Sequence, residues 1–76
     1  MKVTIRKFAE KYIRRLPANQ RKQVICAIYG LPGGDVKPLR WEAGFRLRVG
    51  DLRVVYDIVG DEIIVYAVGS RGDVYK

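Results

Sequence analysis

The 76-residue chain carries 15 lysines and arginines against 8 acidic residues, a formal net charge of +7. Its length allows one small domain, residues 1–76, and a hydrophobic content of 49% supplies a core and excludes a disordered chain. The sequence has no histidine, which removes Ser–His and Cys–His nucleophilic pairs, imidazole acid–base chemistry and most zinc sites.

The surplus of positive charge points to a polyanion, RNA or DNA, or to an acidic protein partner. Cys26 is the single cysteine, so no internal disulfide forms. It falls inside an apolar helical run and is expected to be a buried structural thiol. No segment approaches the ~18 apolar residues needed to span a bilayer. The charged N-terminus has no apolar signal region, so the expected compartment is the cytoplasm, without membrane contact.

Residues 2–6 alternate around Val3 and Ile5 and read as a first strand. Phe8, Ala9, Tyr12, Ile13 and Leu16 then follow helical spacing, with Lys7, Lys11, Arg14 and Arg15 on the opposite face. Pro17 separates this helix from a second one over residues 18–29, because its ring fixes φ and removes a donor. Val24, Ala27, Ile28 and Leu31 make the stripe that the second helix buries, and Gly30 is expected to end it in a left-handed conformation. Residues 31–44, rich in glycine and proline, read as a loop in which Trp41 covers the core edge.

The last third is the most informative. Phe45, Leu47 and Val49 alternate with Arg46 and Arg48, so the arginines share one strand face. A two-residue turn at Gly50-Asp51 pairs Leu47 with Val54 and Arg48 with Arg53. A second turn at Gly60-Asp61 pairs Tyr56 with Val65 and Val54 with Ala67. The face to be covered by the helices then holds Leu52, Val54, Tyr56, Ile58, Ile63, Val65 and Ala67. The other face holds Arg46, Arg48, Arg53, Val55, Tyr66 and Val68. The predicted fold class is α+β: a two-layer βααβββ domain with a helical hairpin packed on a mainly antiparallel sheet.

Two arginines directly opposite one another repel, which destabilises a sheet unless an anion lies between them. Guanidinium forks fit phosphate in particular. Arg71 lies next to the same face and Tyr75 just beyond it. The carboxylates Asp51, Asp57, Asp61, Glu62 and Asp73 are scattered at turns and strand ends, which suits turn formation rather than a metal cluster. No metal or cofactor is expected. Gly30, Gly33 and Gly34 lack the preceding strand and the Lys-Ser/Thr of a phosphate loop.

The stretches at residues 45–56 and 68–75, with Arg14-Arg15-Leu16-Pro17 before the second helix and Pro38-Leu39 before the hairpin, resemble the RelE/ParE superfamily of bacterial toxins in its RelE-like branch. The resemblance covers essentially the whole chain. It implies an mRNA interferase that enters the ribosomal A site and cuts the codon there by attack of the 2′-hydroxyl, leaving a 2′,3′-cyclic phosphate. It also implies a cognate acidic antitoxin, with operator DNA bound only through that antitoxin. Carried onto this sequence, Arg46 and Arg48 take the basic strand positions, Arg53 the phosphate-binding position, Arg71 the transition-state position and Tyr75 that of the tyrosine orienting the RNA. Lys7, Lys11, Arg14 and Arg15 are expected to hold ribosomal RNA. Members with this chemistry carry lysines where this chain has Arg46 and Arg48. An arginine does not give up its proton, so base catalysis passes from Arg48 to Tyr75 or to the substrate itself. The alternatives are a ParE-like inhibitor of DNA gyrase and a member that only binds RNA or its antitoxin.

Overall fold

The computed structural model describes residues 2–31, 33–34, 36–39 and 44–70. Its elements in chain order are β1 (Lys2–Ile5), α1 (Lys7–Arg15), α2 (Ala18–Tyr29), β2 (Val36–Pro38), β3 (Phe45–Val49), β4 (Leu52–Val59) and β5 (Glu62–Ser70). The five strands form one sheet in the order β1-β5-β4-β3-β2. Strands β2 to β5 pair antiparallel, while β1 lies parallel to β5 at the far edge. The architecture is α+β, with both helices on one face of an open sheet, as the alternation and helical spacing required.

The two central hairpins turn on Gly50-Asp51 and Gly60-Asp61. Gly50 and Gly60 have φ of +59° and +60°, whereas no non-glycine residue among those described has positive φ. Positive φ at the first central residue alone is the pattern of a II′ turn, whose twist matches that of the flanking strands. A side chain at either position would be strained even though the surrounding space is open.

The core lies between the layers. Ala9, Ile13 and Leu16 of the first helical segment and Val24, Ile28 and Leu31 of the second are buried against Leu47, Leu52, Val54, Tyr56, Ile63, Val65 and Val68 of the sheet. Each helical set follows i, i+4, i+7, the spacing of one buried helix stripe. Phe45 stacks on Tyr56 with ring centroids 5.6 Å apart, and burial pushes the Tyr56 phenol above its ordinary pKa. At the β1 edge, the Thr4 hydroxyl donates a hydrogen bond to the Glu62 carboxylate.

Several expectations are corrected. The loop after α2 contains β2, which pairs with β3 and extends the expected βααβββ order by one strand. A β-bulge between Val55 and Tyr56 shifts the β4–β5 register, so Val54 faces Val68 and Val55 faces Ala67. Val68 therefore enters the core and Ala67 does not. Phe8 is 69% exposed, because it projects about 100° away from the Ala9 direction on a helix of 3.6 residues per turn. Cys26 is exposed, for it lies two residues, about 200°, from Val24 on the buried stripe. Ala27 is only half-buried. Gly30 ends α2 at φ −84°, not in the left-handed region, and its N–H donates back to the carbonyls of Cys26 and Ala27. Trp41 lies outside the described residues.

Candidate anion site on the open sheet face

Among the described residues, the helices pack on one face of the sheet and no element packs on the other. On the bare face, strict alternation in β3 and β4 brings out Arg46, Arg48 and Arg53. The register is the expected one: Arg48 is directly opposite Arg53, with Leu47 opposite Val54 behind them in the core. Arg46 stands opposite Val55, one step along the same face. Pairing of β2 with β3 adds a fourth cation, since Lys37 is opposite Arg46. Lys37, Arg46, Arg48 and Arg53 together line one shallow open cleft. Arg46 and Arg53 are half-buried, while Lys37 and Arg48 are exposed.

The electrostatics of this cleft are one-sided. Among the described residues, none of the four cations makes an ion pair with a carboxylate; the ion pair present there is Arg14–Glu10 at 2.6 Å on α1. Asp57, also on β4, turns its carboxylate to its own neighbour and accepts a hydrogen bond from the Ile58 N–H at 2.8 Å. Four cations held together with no countercharge among the described residues form a focused positive field, and such a field concentrates anions. The guanidinium groups add forked donors that match phosphate oxygens.

The β5 bulge sets which residue pairs with Arg53. An unbroken register would have set Val68 opposite Arg53, with its isopropyl group on the cation face. The bulge instead brings Gly69 opposite Arg53 and sends Val68 inward. Farther along the bare face the extra residue, Tyr66, is 37% exposed. The Arg6 guanidinium lies over its ring, 5.4 Å from the centroid, a cation–π contact.

The other charges predicted to act are elsewhere. Lys7, Lys11, Arg14 and Arg15 are all exposed on α1, in the opposite layer from the cleft. Arg71 and Tyr75 lie outside the described residues. Sequence reasoning missed Lys37. The available signal was the Val36-Lys37-Pro38 step, an outward lysine beside an inward valine and closed by a proline, which is the composition of a short edge strand. Among the described residues no helix is long and apolar enough to cross a membrane.

Comparison with known families decides the affiliation. The model of the ParE toxin of type II toxin–antitoxin systems, parDE, matches residues 3–75. The chain belongs to that family. It is accordingly a toxin of a type II toxin–antitoxin system, within the RelE/ParE superfamily. Among solved structures, the toxin–antitoxin complex RelBE2 from Mycobacterium tuberculosis holds a chain 28% identical, with a TM-score of 0.75 over 92% of this toxin and 96% of that chain. An archaeal RelE–RelB complex from Pyrococcus horikoshii OT3 is similar at 25% identity, with a TM-score of 0.75 over 95% of this chain and 96% of that one. A RelB–RelE complex from Methanococcus jannaschii, 24% identical with a TM-score of 0.79 over 95% of this chain and 94% of that one, shares the fold. No curated protein matches the sequence.

Proposed function

We propose that this toxin is a ribosome-dependent endoribonuclease that cuts mRNA in the ribosomal A site. The observation that carries the reading is the convergence of Lys37, Arg46, Arg48 and Arg53 on one open cleft, with Arg48 opposite Arg53 and no carboxylate among the described residues to neutralise them. A phosphodiester supplies the missing negative charge. In the transition state of 2′-hydroxyl attack, charge accumulates on the non-bridging oxygens, and preorganised guanidinium donors stabilise that charge more than the ground state. Arg46, Arg48 and Arg53 bind the RNA, Arg71 stabilises the transition state, and Tyr75 orients the substrate. Metal is not required. Lys7, Lys11, Arg14 and Arg15 on the opposite layer hold ribosomal RNA, and the site of action is the cytoplasm, where translating ribosomes are.

The partner that silences the toxin is a cognate acidic antitoxin, with operator DNA reached only through it. Similar chains have been solved within toxin–antitoxin complexes, and a +7 surface attracts an acidic segment. The deciding experiment maps RNA ends on translating ribosomes in the presence of a chelator. A 2′,3′-cyclic phosphate at A-site codons is expected; a 3′-hydroxyl end, or activity lost with the chelator, overturns the chemistry. The second reading, inhibition of DNA gyrase without RNA cleavage, is favoured by the parDE description of the matching family. Arrested supercoiling with intact mRNA would establish it in place of the first.

A further inference from the structure

We infer that Lys37 donates the proton to the leaving 5′-oxygen in this cleavage, an inference that rests on the ribonuclease reading above. Among the described residues, the cleft is lined by three guanidinium groups and one amine. Guanidinium groups stay protonated and can clamp a phosphate, but they are poor proton donors to a leaving alkoxide. A lysine ammonium is a compact charge on a flexible stem and can pass a proton on. Among the described lining residues, Lys37 is thus the group suited to both binding and proton transfer.

Its placement supports the role. The three-residue strand β2 fixes Lys37 opposite Arg46, so it joins the row Lys37, Arg46, Arg48, Arg53 from the side. Pro38 ends that strand with a locked φ and no N–H, which stiffens the backbone beside the lysine. Lys37 is exposed and forms no ion pair with a carboxylate among the described residues. Its stem is therefore free to follow the substrate. Lysine on an edge strand also discourages pairing with another chain. Arginine, also charged, keeps that protection, which lets one substitution separate the two roles.

The 2′-oxygen bonds to phosphorus as its proton passes to solvent. The bond between phosphorus and the 5′-oxygen breaks, its electron pair stays on that oxygen, and the oxygen takes a proton from Lys37 Nζ. The products are a 2′,3′-cyclic phosphate and a 5′-hydroxyl, and water restores the proton to the amine.

The test uses the whole toxin on ribosomes programmed with mRNA carrying either oxygen or sulfur at the 5′-bridging position of the scissile bond. A thiolate leaves without protonation. Lys37→Arg should slow single-turnover cleavage of the oxygen substrate by about 10²-fold, leave ribosome binding unchanged, and cut the sulfur substrate as fast as the wild type does. Lys37→Gln should lose the same step and also weaken RNA binding and its salt dependence. Equal losses of Lys37→Arg on both substrates would make the lysine a clamp and overturn the proposal. Undiminished cleavage by Lys37→Arg would remove the donor and leave the ribonuclease reading intact. A wild-type toxin that binds ribosomes and cuts neither substrate would overturn both.

Discussion

The hairpins β3–β4 and β4–β5 turn on the same dipeptide, Gly-Asp, with glycine φ values within a degree of each other. From there they diverge. The first keeps its register from Val49–Leu52 to Phe45–Tyr56 and sets two arginines face to face. The second breaks register between Val55 and Tyr56 and sends Val68 into the core. Turn chemistry sets where a hairpin starts, and what each strand must bury sets how far the register runs unbroken. The regular hairpin keeps two like charges opposed on its outer face, a repulsion that the anion proposed above would relieve. The irregular one gives up ladder regularity and thereby buries a valine and puts a glycine opposite Arg53.

The largest expected effect probes the irregular hairpin. Val68→Asp buries a carboxylate with no partner and should cost roughly 4 kcal/mol or more. A domain of this size has a total stability on the order of 5 kcal/mol, so the variant should be unfolded by circular dichroism. Ala67→Asp, one residue earlier but outside the core, should change urea stability by about 1 kcal/mol or less. If Ala67→Asp proves the more damaging substitution, the bulge is misplaced and the comparison collapses.

Next comes the regular hairpin. On the proposed reading Arg53 holds a phosphate, and Arg53→Ala should flatten the slope of log affinity against log salt by about 0.7 for single-stranded RNA. An unchanged slope would place the bound phosphate elsewhere. Arg48→Glu converts the facing pair from repulsive to attractive. It should stabilise the free toxin by about 0.2–1 kcal/mol in urea titrations while abolishing RNA binding. A loss of stability would mean that the opposed arginines were not a burden on the sheet.

The smallest effect concerns the residue where the hairpins join at the bulge. Burial raises the pKa of the Tyr56 phenol above its ordinary value of 10.0. Above about that pH the unfolded phenol ionises while the folded one does not, so the unfolded state binds fewer protons and stability falls as pH rises. Below it the contribution is constant. Tyr56→Phe should remove this alkaline loss, read as denaturation midpoints between roughly pH 9 and 11. Parallel wild-type and variant curves over that window would show that Tyr56 ionises equally in both states.

Most of this fold was legible in the sequence where period and environment agree. Strict alternation in β3 and β4, flanking a glycine able to take positive φ, dictated the Arg48–Arg53 pairing and with it most of the cleft. Legibility failed where one residue breaks the period. The bulge at Tyr66 leaves no mark in the apolar pattern, since Ala67 and Val68 are both acceptable inside or outside. β2 escaped because a three-residue strand ending in proline has no period to read. Phe8 and Cys26 were misassigned because hydrophobicity, rather than the angular position fixed by the buried i, i+4, i+7 rows, was allowed to decide burial.

The parallel pairing of β1 with β5 has a consequence for how the toxin comes into being. Lys2 is in register with Glu62 and Ile5 with Val65, so the strand synthesised first can be seated only after the strand synthesised last among those described. The meander from β2 to β5 needs only neighbouring segments and can form early, whereas the β1 edge waits on the longest loop closure in the molecule. A folding chain can therefore hold the cation-bearing hairpin before it holds the finished domain. During that interval the waiting edge of β5 is open, and a newly made antitoxin can meet the toxin before the sheet is complete.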